Sequence, residues 1–431
     1  MKNFVKNLYL LLFSIYTLSP FAQTPSIKKS PLLTEAPAKS VGMSAERLAR
    51  IDAMCKEAIK NNEIPGAVAL VVRNGKIVYY KAFGMGDNES GRELKGDAIF
   101  RIASQTKAIT ATAIMMLWEE GKFKLDDPIS KYIPEFKNEQ VLDTLYENGT
   151  YKTIAAKNPI TIRHLLTHTS GIGYGFIDND NFKRIYKDAG IIDLATTENI
   201  SIGENIKKLA KLPLHHNPGE KFTYGEGLDV LGYLIEIVSG MPLDQFYKTR
   251  IFDPLGMNDT RFYQPESKHN RLVSVQKKEN GNWIKYTTTL YDPNYPVNGA
   301  QRYFNGGGGL SGTAKDYATF LQMYLNNGEL NGVRLLSRTT VEFMMKNQIG
   351  NLRGDTGAYH GLAFEVIDEK GENMGGRNSK GTFGWGGYFN TQYFADPKEN
   401  VIGIIMKQTQ GAITDSTDWK FRQLVGESID D

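Results

Sequence analysis

A chain of 431 residues with 41% hydrophobic and 11% aromatic side chains carries apolar surface for a large core, which excludes wholesale disorder. Its 51 basic residues nearly cancel 48 acidic ones to leave +3, with no long basic run, so nucleic acid is excluded as an expected partner. The one cysteine, Cys55, excludes an intrachain disulfide, and its helix-like setting marks it as a buried structural thiol.

In chain order, Met1 to Lys6 form a short basic start, and Leu8 to Leu18 an apolar stretch too short to span a bilayer well. This pattern predicts a signal peptide over residues 1–22, export to the periplasm or medium, and no stable membrane insertion once it is removed. Residues 23–40, rich in Pro, Ser, Thr and Lys, read as a solvated linker ahead of a folded domain over 41–431. Ser44 caps a predicted helix that runs through Lys60 and ends at Ile64-Pro65-Gly66. Ala67 to Val72 and Ile77 to Phe83 then form a predicted hairpin, because Asn74-Gly75 supplies the positive φ values of a two-residue turn.

Thr106 to Glu120 has apolar residues at helical spacing. It opens a mostly helical region over about residues 111–300, broken by polar loops at 135–160 and 262–300. Thr313 to Asn326 is a predicted helix. Gly361 to Asp368, Tyr388 to Asp396 and Val401 to Gln408 are predicted strands, and a helix near Ser416 to Ser428 closes the chain. Strands at both ends around a helical middle predict an α/β fold of the α+β type: an antiparallel sheet built from both chain ends, packed helices, and an inserted helical region.

A serine hydroxyl is a weak nucleophile until a base takes its proton, and a lysine one helical turn later puts an amine on the same face. Ser-x-x-Lys occurs at Ser26, Ser104 and Ser274. Ser26 falls in the linker and Ser274 precedes a polar turn, whereas Ser104-Gln105-Thr106-Lys107 opens an apolar helix directly after the strand-like Ile99 to Ile102. At a helix start the Ser104 N–H is free for an oxyanion, and the positive helix end favours the neutral amine of Lys107.

Phe100 to Lys107 resembles the nucleophile segment of the serine β-lactamase-related family, the penicillin-recognising fold. Ile162 to Gly171, Asn217 to Tyr224 continued by Leu228 to Gly232, Gly308 to Thr313, and Gly384 to Gly387 are similar to later landmarks of that family in the same order. The resemblance runs from about Gly42 to about Lys407 and implies a β-lactamase/transpeptidase-like fold. It implies Tyr224 as the partner that shares protons with Lys107, and an oxyanion hole made by the backbone N–H groups of Ser104 and Tyr388. Tyr146-Glu147-Asn148 and Tyr324-Leu325-Asn326 also spell Tyr-x-Asn, but the first precedes the His168 landmark and the second ends a helix.

Two positions depart from β-lactamases. Where those have Tyr-x-Asn and a third motif beginning with Lys or His, this chain has Glu226 and Trp385, expected with Gly386 and Gly387 to bind substrate. A carboxylate and an indole make a poorer site for an anionic lactam, and the pattern looks more like the β-lactamase-fold carboxylesterases. The expectation is therefore a serine hydrolase forming an acyl-enzyme on Ser104 with small uncharged ester or amide substrates, without metal or other cofactor. β-Lactamase or D-amino-acid peptidase action is the alternative, and a non-catalytic cell-wall-binding module the second. His164 and His168 lie four apart without the Glu of a zinc motif and read as structural. Gly306 to Gly309 lacks the following Gly-Lys-Ser/Thr of a phosphate loop, and Ser311 falls short of a nucleophile elbow.

Overall fold

The computed structural model describes residues 24–288 and 290–431. The signal peptide expected over 1–22 lies outside the described residues.

A nine-strand sheet organises the molecule. Its order is Ala358–His360, Glu365–Ile367, Phe383–Gly387, Thr391–Asp396, Val401–Met406, Gly66–Arg73, Lys76–Asp87 and Thr34–Glu35, with Arg92–Glu93 paired to the far end of Lys76–Asp87. All pairs are antiparallel except Thr34–Glu35 against Lys76–Asp87. The seam between the chain ends runs down the middle, where Val401–Met406 pairs residue by residue with Arg73–Val68. The turn before the second strand works as its composition predicts, with Asn74 at φ 52° and Gly75 at φ 73°.

Every residue of Gly66–Arg73 is buried, because helices cover both faces of the sheet. Alternation along the strand divides the core. Ala67, Ala69 and Val71 pack with the Arg50–Lys60 and Thr417–Glu427 helices, whereas Val68, Leu70 and Val72 join the large core under the Ala314–Leu325 helix. The Thr106–Glu119 helix is apolar nearly all round and buried from Thr106 to Leu117, since it runs between the sheet and the helical region. There it packs on Gly227–Ser239, which also touches Ile162–Leu166, Ile202–Leu209 and Leu243–Tyr247. Among the described residues no helix is long and apolar enough to cross a membrane.

Several expectations are corrected. The stretch read as a solvated linker is in part laid onto the body: Thr24–Pro25 pairs with Val333–Arg334, Ser30 bonds Glu329, Leu33 is buried and Thr34–Glu35 extends the sheet edge. Most of its residues stay exposed, while Ser30 and Thr34 bond Glu329 and Lys76 of the body. The loops at 135–160 and 262–300 contain hairpins, Gln140–Leu145 with Tyr151–Ala155 and Gln276–Glu279 with Asn282–Lys285. The strand expected over 361–368 is split into Ala358–His360 and Glu365–Ile367, and Ala363 between them has φ 74°. The helix expected through Lys60 turns at Ala49 into two pieces, Ala45–Leu48 and Arg50–Lys60.

Candidate active site

Ser104 stands at the point where a short strand becomes the buried helix. Phe100–Arg101 pairs with Ser311–Gly312, Ile102 N–H donates to Leu310 O at 3.0 Å, and Ala103 to Gln105 form one tight turn into Thr106–Glu119. Ala103 takes φ 45°, a left-handed conformation that costs an alanine about 1–3 kcal/mol and persists only where its surroundings impose it. The imposing neighbour is the Phe383–Gly387 strand. A Cβ on Gly387 would lie 2.5 Å from Ile102 O and 2.2 Å from Thr391 Oγ1, so only glycine lets that strand close on the serine turn.

Lys107, one turn on, is 3% exposed. Its Nζ reaches Ser104 Oγ at 3.3 Å, Tyr174 OH at 3.0 Å and Gly307 O at 2.6 Å. Tyr174 OH donates to Asp229 Oδ2 at 3.3 Å, and Gly307 N–H donates to Asp229 Oδ1 at 2.9 Å, so lysine, tyrosine, carboxylate and glycine loop form a closed ring of contacts. Burial pushes the Asp229 carboxyl up to about 6 against the pull of Lys107, and burial likewise raises the Tyr174 phenol far above its ordinary value. The glycine run is explained at Gly307, where a Cβ would fall 2.3 Å from Asp229 Oδ2 and 2.7 Å from Tyr174 OH.

Tyr224 comes to the same place from the other side. The Nζ of Lys107 lies 4.8 Å from its ring centroid, and its hydroxyl accepts from Trp385 Nε1 at 3.4 Å. The site is thus walled by rings in contact: Tyr174 with Tyr224 at 5.7 Å and with Phe176 at 5.6 Å, Phe176 with Tyr388 at 5.5 Å, and Tyr224 with Trp385 at 5.7 Å between centroids. Tyr388 follows Gly387 beside the serine turn, and its hydroxyl accepts from Gln410 Nε2 at 3.1 Å. Gly386 belongs to the same strand, where a Cβ would lie 2.8 Å from the Gln392 side chain.

Ser104, Lys107, Tyr224, Trp385, Gly386, Gly387 and Tyr388 are brought together, but Glu226 is not a substrate-facing group. It is 1% exposed at the start of the Gly227–Ser239 helix, and burial followed by the nearby Asp193 pushes its carboxyl well above the usual range. A carboxylate expected at the mouth of the site is therefore a buried group behind it. The other Ser-x-x-Lys serines stand elsewhere: Ser26 is buried within the N-terminal segment after Thr24–Pro25, and Ser274 donates to Asp87 Oδ2 at 2.6 Å ahead of a strand. Tyr146 is 49% exposed on a hairpin, and Tyr324 is buried against Thr112.

Arg302 is exposed and paired with Glu204, and Lys407 is fully buried against Asp415; the cation beside the third motif is Arg353, whose guanidinium lies 5.7 Å from the Trp385 ring centroid and pairs with Glu365 at 2.8 Å. His164 accepts from Thr161 N–H in a helix cap, and burial holds His168, at φ 56° beside Gly225 N–H, below the ordinary imidazole range. Among the described residues no group of three or more His, Cys, Asp or Glu side chains is placed to hold a metal ion. Sequence reasoning missed Tyr174 and Asp229. The readable signal was Asp229 itself, a lone carboxylate in the apolar helix run Leu228 to Leu234, where burial demands a partner.

A serine and a lysine on one helix turn, beside a glycine-bearing strand edge and between a sheet and a helical region, define a serine hydrolase scaffold. The chain belongs to the Beta-lactamase family, whose sequence model matches residues 51–427. It is 31% identical over 385 residues to Esterase EstB of Burkholderia gladioli, an alignment covering 85% of this chain and 91% of that one. It is 29% identical over 377 residues to Lovastatin esterase of Penicillium rubens, covering 82% and 91%. Among solved structures, EstCE1, described as a hydrolase with promiscuous acyltransferase activity, superposes with a TM-score of 0.76 at 25% identity, covering 89% of this chain and 98% of that one.

Proposed function

We propose that this protein is a serine carboxylesterase that turns over small uncharged esters through an acyl-enzyme on Ser104. The observation that carries the reading is the donor arrangement around Lys107. A neutral amine has two N–H groups and one lone pair. With the N–H groups on Gly307 O and Tyr174 OH, the lone pair is left for the Ser104 hydroxyl.

In this mechanism Ser104 Oγ attacks the ester carbonyl carbon as its proton passes to Lys107. The carbonyl oxygen takes the negative charge between the N–H groups of Ser104 and Tyr388. Tyr224, over whose ring Lys107 lies, delivers a proton to the departing alkoxide. Water then attacks the acyl carbon, gives its proton back through the same groups, and releases the acid and Ser104. The esterases of Burkholderia and Penicillium among the relatives support ester cleavage.

Preference for neutral substrates rests on Trp385 and the ring-lined wall, and no longer on Glu226. An anionic lactam that meets Trp385 in place of the third-motif Lys or His, with the nearby Arg353 already paired to Glu365, forgoes a charge-assisted hydrogen bond of about 1.5–3 kcal/mol, roughly ten- to a hundredfold in affinity. Comparing kcat/KM for p-nitrophenyl acetate or butyrate with that for nitrocefin tests the preference. The ester value is expected to be far higher, and a lactam value equal to it or above refutes the reading. The basic start and apolar Leu8 to Leu18 support export. Amino-terminal sequencing of protein recovered outside the cytoplasm should begin near Gln23, and a mature chain starting at Met1 refutes signal removal.

A further inference from the structure

Two carboxyl groups that the mechanism does not use lie directly behind its two phenols. Glu226 sits two residues after Tyr224, at the start of the Gly227–Ser239 helix, and its backbone N–H donates to Gly173 O at 3.3 Å. Asp193, from the segment ahead of the Ile202–Leu209 helix, accepts from Gly175 N–H at 2.7 Å and Phe176 N–H at 3.1 Å. These three backbone groups bracket Tyr174. The two chain segments are also pressed together, since a Cβ on Gly225 would lie 2.2 Å from Ile172 O and 2.6 Å from Gly173 Cα.

We propose that Glu226 and Asp193 are positioning residues: a carboxyl–carboxylate pair sharing one proton, which ties the segment bearing Tyr224 to the loop bearing Tyr174 and so fixes both phenols around Lys107. The inference rests on the acyl-enzyme reading of that site. Glu226 is 1% exposed with Oε1 lacking a hydrogen-bond partner, so in ionised form it would be a poorly solvated charge. The groups facing it are Asp193, Asp229 on its own helix, Lys107 from the serine helix, and the phenols of Tyr174, Tyr186 and Tyr303. Two of these are carboxyls, and Lys107 is already engaged by Gly307 O and Tyr174 OH. Glu226 therefore keeps its proton and donates it to Asp193, whose carboxylate then has an O–H and two N–H donors.

Because the folded carboxyl of Glu226 holds its proton above the ordinary glutamate value, the stability it confers is present at low pH and is lost as pH rises through the folded value. Glutamine donates an N–H to Asp193 equally well and cannot ionise.

The test is p-nitrophenyl acetate kinetics for wild type, E226Q and E226A, with melting temperatures of wild type and E226Q from about pH 5 to 10. E226Q should keep kcat within about threefold and lose the fall in melting temperature that accompanies ionisation of Glu226, whereas E226A should lower kcat at least roughly tenfold with KM little changed. Wild-type kcat in E226A, an E226Q defect as large as that of E226A, or parallel melting profiles would each overturn the pair. Melting requires neither turnover nor a folded E226A, so an absence of esterase activity in wild type would defeat the functional reading while the melting profiles still judged the pair.

Discussion

Lys107 touches three oxygens from three different parts of the chain, and the candidate chemistry depends on which of them it faces as acceptor. Ser104→Ala should abolish ester turnover and Lys107→Ala nearly so, while Ser26→Ala and Ser274→Ala remain at wild-type rates; activity surviving in Ser104→Ala would remove the nucleophile assignment. Tyr224→Phe should lower kcat by roughly 10² or more, since only a proton-carrying hydroxyl is lost. Tyr174→Phe breaks the link between Lys107 and Asp229 and should also lower kcat, with far-UV circular dichroism unchanged in both variants. The pairing of Ser104 with Lys107 was legible because one helix turn sets its geometry. The links to Tyr174 and Asp229 were not, because they cross 67 and 55 positions of sequence. Glu226 was misread for a related reason: a sequence places a residue two after a tyrosine but does not say which side of the backbone is dry.

Whole elements were read best where periodicity and turn chemistry agreed. The Asn74-Gly75 hairpin and the serine helix satisfy both, whereas the hairpin Gln140–Leu145 with Tyr151–Ala155 is mostly exposed and so carries no apolar alternation to read. The loop carrying Gly306 to Gly309 shows how an element can be decided by room alone. Tyr291 and Tyr295 hold the carbonyls of Gly308 and Gly309, and Lys107 and Asp229 hold the carbonyl and N–H of Gly307. Gly307→Ala should therefore cost far more activity than its single methyl suggests, because either Asp229 or Tyr174 must give way. Gly332→Ala, at φ 72° with nothing near its would-be Cβ, should cost stability but leave kcat intact, and equal kcat losses in the two variants would contradict this account.

At the scale of the whole molecule, a buried ion pair adds to the strand pairing that fastens the C-terminal part to the site. Lys407 Nζ donates to Asp415 Oδ2 at 2.5 Å and Thr417 Oγ1 at 2.8 Å, and Asn390, two residues after Tyr388, donates to Asp415 at 2.7 Å. With Lys407 fully buried, Asp415→Ala leaves an uncompensated charge and should destabilise by about 3–5 kcal/mol, read as a lower melting temperature. An unchanged melting temperature would show that the pair is not holding this region. The seam of the sheet has a consequence in time as well as in space. Ser104, Lys107 and Tyr224 all leave the ribosome before the strands Phe383–Gly387 and Val401–Met406 that close on the serine turn and on Gly66–Arg73. Completion of the site therefore waits for the last strands of the chain, and so distant a pairing is slow to form.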